Sequence, residues 1–184
     1  AFMLFKQAIA TGWDCPRAKI LVKLREGGTE SFNIQTIGSY AFYCCYSLRK
    51  ITIGNSTMSI GESALQRCSS LTSLTVGNGI TCIETATFST CSSLVSVKLN
   101  NNITSIGDWA FYGCTNWEGD LVIPEKVEYI GYAAFYRCQK LTSLTMGDKV
   151  TSIGEGAFFC CWSMTGDLVI PDGVTRIESA TFYN

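Results

Sequence analysis

The chain has 184 residues, almost half of them hydrophobic, and its 14 basic and 15 acidic side chains give a net charge of −1. This length and apolar content suit one folded domain and argue against intrinsic disorder. The balanced charge gives no electrostatic basis for binding nucleic acid or an anionic membrane, and no apolar run approaches the roughly 20 residues of a membrane-spanning helix. Histidine is absent, so the commonest general base and the commonest metal ligand are both missing.

The first 36 residues do not follow the pattern found in the rest of the chain. Within them, AKILVKL at 18–24 alternates apolar and polar residues and predicts a strand. We predict that residues 20–37 form a degenerate coil and that residues 1–19 cap the open end of a core, because terminal repeats are atypical. The predicted N-terminal domain is therefore a cap with a degenerate first coil, at 1–36.

From Ile37 onward the pattern I-G-x-x-A-F-x-x-C recurs at intervals of 23 or 24 residues. Its copies begin at Ile37, Ile60, Ile83, Ile106, Ile130, Ile153 and Ile177. A fixed period of this length indicates a solenoid, in which each unit buries its faces only against its neighbours. We predict six full repeats and a truncated seventh over 37–184, and we expect the native chain to continue beyond Asn184.

Each repeat divides into two halves. One half, such as LRKITIG at 48–54 or LTSLTVG at 71–77, alternates apolar with polar residues and predicts a short strand. The other half, I-G-x-x-A-F-x-x-C, spaces its apolar residues as in a helical or 3₁₀ turn with one buried face. Stacking would join one strand per coil into a parallel sheet. The predicted fold class is therefore α/β.

The full pattern L-x-x-I-x-I-P-x-x-V-x-x-I-G-x-x-A-F-x-x-C resembles the BspA-like leucine-rich repeat family, with close matches at 121–138 and 138–161. The resemblance covers residues 37–184. It implies a right-handed leucine-rich repeat solenoid, with one short parallel β-strand per coil on the concave face and helical or 3₁₀ turns on the convex side. The chain departs from the family by using glycine or asparagine where the family often has proline, which only Pro124 and Pro171 keep.

Six of the ten cysteines stand at the last position of I-G-x-x-A-F-x-x-C. This cysteine ladder consists of Cys45, Cys68, Cys91, Cys114, Cys138 and Cys161. We interpret these residues as buried thiols that act as small hydrophobic side chains. Stacked parallel side chains disfavour disulfides between coils, and the chain lacks the short C-x₂-C pairs of a zinc site. Four cysteines lie off the ladder, either exposed and reactive or paired: Cys15, Cys44, Cys82 and Cys160.

The outward positions of the predicted strands form the candidate binding surface, called the strand face below. Its residues are Lys50, Thr52, Ser73, Thr75, Ser96, Lys98, Asp120, Val122, Ser143, Thr145, Asp167 and Val169. Solenoids commonly bind partners on such a surface, and the alternative is an ordinary solvated sheet. Aromatic residues of the turn half are either a second contact patch or packing between coils. They are Tyr40, Tyr43, Trp109, Tyr112, Tyr132, Tyr136 and Trp162.

The sequence gives no indication of an enzyme, because a serine–histidine–aspartate arrangement is impossible without histidine, and the glycines at 77–79 lack the lysine of a phosphate-binding loop. We expect no cofactor and no metal.

The family resemblance implies a non-enzymatic adhesion module of a secreted or cell-surface protein. Its partner would be a protein or glycan, for example one of the host matrix or of a cell surface. We expect this segment neither to bind nucleic acid nor to insert into a membrane. The alternative is a structural spacer that displays another domain. Asn55 and Asn102 match the N-glycosylation pattern.

Overall fold

A computed structural model describes residues 21–23 and 34–183 of the chain. The described part consists of short strands joined by turns, and all of its strand pairs are parallel. The predicted cap at 1–19 and Cys15 lie outside the described residues. Strands repeated along the chain therefore stack coil upon coil, as expected for a solenoid.

Two strands are formed in most coils, so the prediction of one strand per coil was wrong. The strands of the first set are β1 (Leu21–Lys23), β3 (Lys50–Thr52), β5 (Ser73–Thr75), β7 (Ser96–Lys98), β9 (Glu118–Val122) and β11 (Lys140–Thr145). Those of the second set are β2 (Thr36–Ile37), β4 (Ser59–Ile60), β6 (Cys82–Ile83), β8 (Ser105–Ile106), β10 (Tyr129–Ile130) and β12 (Ser152–Ile153). The second set has only two residues per strand, too few to show the alternation by which a strand is recognised in a sequence.

The first set is divided into two sheets. One has the order β1-β3-β5-β7, and the other pairs β9 with β11. The break coincides with a 24-residue repeat, whose extra residue falls near Gly119 at a positive φ of 86°. The extra residue shifts the register, as the irregularity in the β9–β11 pairing also shows. Val97, beside the break, is only half-buried, whereas the equivalent Ile51 and Leu121 are fully buried.

The last coil departs further from the prediction. Gly166 again has a positive φ, 120°, and no strand forms over 165–170. Asp167 and Val169 were placed on a strand by the sequence pattern, but in the structure they are exposed residues of an irregular segment. The insertion of one residue therefore has a similar effect at both sites, loosening the sheet register.

The turn half contains no helix anywhere in the described residues, so the predicted helical or 3₁₀ side, and with it the α/β class, was wrong. The fourth and eighth positions of I-G-x-x-A-F-x-x-C adopt positive φ, as Tyr40 and Cys44 do at 59°. These left-handed residues interrupt any helical run. Backbone N–H groups then alternate in their partners: Ala41 donates within its own coil to Gly38, whereas Phe42 donates to Ala64 of the next coil.

The core is a single column between the strand half and the turn half. It contains the pattern's isoleucines, alanines, phenylalanines and cysteines, together with the inward residues of the strands. Phenylalanine rings of successive coils stack with centroid separations of 5.3 Å between Phe88 and Phe111 and 5.4 Å between Phe111 and Phe135. Trp117 meets Phe111 edge-on at 5.1 Å. The described residues thus form a parallel β-solenoid with one continuous apolar interior.

Candidate functional site

The strand face lies on the side of the first strand set that points away from the core. In β3, Lys50 is exposed and Thr52 half-buried, while Ile51 between them is fully buried. The parallel register places Lys50 beside Ser73 and Thr52 beside Thr75. The remaining strand positions follow the same rule, with Ser96, Lys98, Asp120, Val122 and Thr145 exposed and Ser73 and Ser143 half-buried. The structure therefore groups these residues in adjacent rows.

The two blocks of the strand face differ in charge. In the first block, the strand segments at 48–53 and 94–99 contain basic residues, the segment at 71–76 is uncharged, and none of the three contains an acid. In the second block, β9 carries Glu118 and Asp120, and β11 begins with Lys140. The whole chain is almost neutral, but its strand face has a basic end and a mostly acidic end. Such separation of charge can orient a partner that has complementary charges.

Asp120 is held in place by hydroxyl groups of the neighbouring strand. Its Oδ1 accepts hydrogen bonds from the Oγ of Ser143 at 2.6 Å and from the Oγ1 of Thr142 at 3.3 Å. All three side chains lie at the surface. A carboxylate fixed in this way is available as an oriented acceptor for a donor group of a partner.

The cysteine ladder lies inside the core, and its thiols make contacts that the sequence did not predict. The thiol of Cys68 donates to the carbonyl of Phe42 at 3.1 Å, and that of Cys161 to the carbonyl of Phe135 at 3.3 Å. Cys91, Cys114 and Cys138 donate in the same way to the coil before them. Burial raises the pKa of Cys161 to about 12, so its thiol stays protonated and able to donate.

The described cysteines off the ladder are half-buried. None of Cys44, Cys82 and Cys160 forms a disulfide with another described residue. The Cys82 sulfur accepts a hydrogen bond from the Oγ of Ser105 at 3.0 Å, and burial raises the pKa of its thiol. Within the described part of the chain, no group of cysteine and acidic side chains is arranged to hold a metal ion.

The aromatic residues of the turn half separate into packed and exposed groups. Tyr112, Tyr136 and Phe159 form an outer stack with ring separations of 5.0 and 4.8 Å. Trp109 and Tyr132 are exposed and meet edge to face at 5.2 Å. Tyr40 and Trp162 are also exposed, whereas Tyr43 lies half-buried with its ring edge-on to Tyr40.

Asn100 has a structural role, through buried hydrogen bonds, that the sequence did not predict. Its side chain is buried, and its amide nitrogen donates to the carbonyls of Gly77 at 2.7 Å and Ile80 at 3.0 Å. Its side-chain oxygen accepts from the backbone N–H of Asn102 at 2.7 Å. A clue was present, because Asn100 stands where the other coils have glycine or proline.

Parallel stacking, the 23–24-residue period and the apolar column define a solenoid of the leucine-rich repeat class. The family of BspA type leucine rich repeat regions matches residues 29–119 and 119–184, in six copies. The chain therefore belongs to this family, and the resemblance seen in the sequence is confirmed.

Solved structures agree on the fold. A leucine-rich repeat protein from Bacteroides ovatus is 30% identical with a TM-score of 0.71, and the match covers 78% of this chain and 38% of that one. The T. pallidum leucine rich repeat protein is 23% identical with a TM-score of 0.67, over 78% of this chain and 77% of its own. The pneumococcal vaccine antigen PcpA is 19% identical with a TM-score of 0.57, covering 76% and 38% of the two chains.

The chain thus spans well under half the length of the Bacteroides ovatus protein. A comparison with curated proteins gave no match. Among the described residues, there is no helix with the length and apolar character needed to cross a membrane.

Proposed function

We propose that the strand face is the recognition surface of a non-enzymatic adhesion module that binds a protein or glycan. The observation that carries this proposal is the set of polar and charged side chains held in register outside the core, from Lys50 to Thr145. These side chains are not needed to fill the interior. Parallel solenoid sheets present extended surfaces of this kind to their partners.

Location at the cell surface or outside the cell is part of the same proposal. It is supported by membership in the BspA type repeat family, since the resemblance to that family implies a role in attachment. The binding role is also supported by the uneven charge of the strand face, which suits a partner that presents an acidic region and a basic region in series.

The test is binding of the purified chain to immobilised matrix proteins and to a glycan array. A variant would carry Lys50→Glu, Thr75→Glu, Lys98→Glu and Thr145→Glu. These changes reverse or add charge at exposed positions of the strand face, so folding should be unaffected and binding should fall at least about tenfold. Circular dichroism and thermal unfolding would check that the variant keeps its fold.

A matched control would carry Lys126→Glu, Lys149→Glu, Thr81→Glu and Thr151→Glu. These residues are exposed but lie outside the strand face. Each lysine change lowers the charge by two and each threonine change by one, so both sets lower the net charge by six. Equal loss in both variants would show a non-specific charge effect and would contradict the proposal. Absence of binding to every target would favour a spacer that displays another domain.

A further inference from the structure

A second surface lies where the two-residue strands meet the turn half, away from the strand face. We call it the aromatic corner, and it consists of Asp108, Trp109, Tyr129 and Tyr132. Trp109, Tyr129 and Tyr132 expose 41%, 41% and 44% of their surface. This exposure is large for aromatic side chains, and clustered exposed rings are characteristic of interaction sites.

The corner is built from two adjacent coils. The Trp109 backbone N–H donates to the Tyr132 carbonyl at 2.8 Å, which sets the spacing of the two rings. Asp108 Oδ1 accepts from the hydroxyl of Tyr129 at 3.1 Å and from the backbone N–H of Tyr132 at 2.8 Å. The carboxylate and the three rings therefore hold a fixed arrangement before any partner arrives.

The sequence segments that form the corner carry acidic residues and no basic ones. The segments at 105–110, 129–134 and 152–157 contain no lysine or arginine. Asp108 lies in the first of them, exposed Glu155 lies in the third, and exposed Glu128 directly precedes the second. Burial raises the pKa of Tyr129, and Asp108 raises it further. The Tyr129 hydroxyl therefore stays protonated and does not compete with the carboxylate for a cation.

We propose that the aromatic corner binds an arginine side chain from a basic segment of a protein partner. A planar guanidinium can stack on a Trp or Tyr ring and donate hydrogen bonds to a carboxylate at the same time. Both kinds of group are present here, and no cation of the chain lies in these corner segments. A neutral sugar could also stack on the rings and donate hydroxyl hydrogen bonds to Asp108, but it has no positive charge to complement the acidic residues of the corner.

Two peptides of the same length test this proposal, acetyl-(Gly-Arg)₃-amide and its analogue with citrulline in place of arginine. Citrulline keeps the planar shape and removes the charge. We expect the arginine peptide to bind the full chain and the citrulline peptide to bind at least about tenfold more weakly, as loss of a charged hydrogen bond and of cation–π attraction predicts. Titration calorimetry at 150 mM salt would measure both affinities.

Matched variants locate the site. Asp108→Asn keeps an acceptor for the Tyr132 N–H but removes the charge, and Asp148→Asn makes the same change at an exposed acid elsewhere. Trp109→Ala with Tyr132→Ala removes the rings, and Trp162→Ala with Tyr46→Ala removes two exposed rings outside the corner. Only the corner variants should weaken binding of the arginine peptide, each by about threefold or more.

Three results would overturn the proposal. One is equal affinity for the arginine and citrulline peptides. Another is an equal loss of affinity for the arginine peptide in the corner variants and in their matched controls, which would indicate general attraction to an acidic surface. The third is glycan-array binding that requires the two rings but is unchanged in Asp108→Asn. Since none of these variants alters the strand face, the outcome is independent of the adhesion test.

Discussion

The thiols of the cysteine ladder combine two properties in one small side chain. Each is apolar enough to sit in the core, and each described hydrogen bond reaches a carbonyl of the coil before it, as Cys114 does to Phe88. That carbonyl also accepts the N–H of Cys91 in its own coil. Alanine would fill part of the space but could not make the contact, whereas serine would be costlier to bury.

Thiol labelling tests this arrangement. In the native protein at pH 8, we expect iodoacetamide to modify half-buried Cys44 and Cys160 and to leave Cys91, Cys114 and Cys138 unmodified. The thiolate is the reactive form of cysteine. Burial raises the pKa of the three ladder thiols and also blocks access to them. Mass spectrometry of tryptic peptides would locate each modification, and labelling in denaturant supplies the fully accessible reference. Modification of the ladder at the rate of Cys44 would contradict the buried position.

Asn100 offers a second test at a single side chain. We expect Asn100→Ala to lower the free energy of unfolding by about 1–3 kcal/mol, because the buried carbonyls of Gly77 and Ile80 lose their donor. The exposed neighbour supplies a control, and Asn101→Ala should change the stability by less than about 0.5 kcal/mol. Urea unfolding followed by circular dichroism would measure both. Equal effects of the two changes would show that the hydrogen bonds of the Asn100 amide do not contribute measurably to the free energy of unfolding.

At the level of the coil, close approach of neighbouring backbones decides which residues fit. The second position of I-G-x-x-A-F-x-x-C is usually glycine, and a Cβ on Gly154 would lie 2.5 Å from the backbone nitrogen of Tyr132. Glu84 occupies the equivalent position in another coil, so a side chain there demands a local shift of the backbone. The sequence alone could not reveal this crowding, since the pattern itself is not invariant.

Two glycines in one coil separate crowding from backbone conformation. We expect Gly154→Ala to destabilise the chain by about 1–3 kcal/mol through overpacking. Gly156→Ala should cost less, about 1 kcal/mol, because a residue with a Cβ is strained at the φ of 61° that Gly156 adopts. Alanine already adopts this conformation at the equivalent Ala133 and Ala180, and a Cβ on Gly156 would meet nothing closer than 3.8 Å. Thermal unfolding of both variants would measure the difference, and a larger loss for Gly156→Ala would contradict the role of crowding.

The period and the inward residues of the coils could be predicted because they depend on residue type and spacing. The helical turn could not be excluded in this way, since Tyr40, Ser63 and Trp109 have positive φ without being glycine. Their conformation is set by hydrogen bonds to the next coil, and such tertiary contacts override local preference. Only part of the aromatic corner could be predicted, for the same reason. Trp109 and Tyr132 belong to the turn pattern, but the contact between Asp108 and Tyr129 joins two coils and cannot be read from the sequence.

The described part of the chain is a stack in which each coil contacts mainly its neighbours. β1 pairs in parallel with β3, so the stack extends at least to residue 21, and residues 1–36 remain our predicted cap with a degenerate coil. In such a linear array, stability is close to a sum of coil and interface terms. Energetic coupling between two core substitutions should then depend on how many coils separate them.

Phenylalanine-to-leucine changes in the core column provide the measurement, because Leu65 shows that leucine is accepted at this position. For the stacked pair Phe111→Leu and Phe135→Leu, we expect a coupling energy of about 0.5–1.5 kcal/mol, since either change already removes the ring–ring contact at 5.4 Å. For Phe88→Leu and Phe158→Leu, separated by two coils, the effects should add within about 0.5 kcal/mol. Urea unfolding of the four single and two double variants gives both values. Strong coupling in the distant pair would mean that the stack responds as one rigid body, and the nearest-neighbour description would then fail.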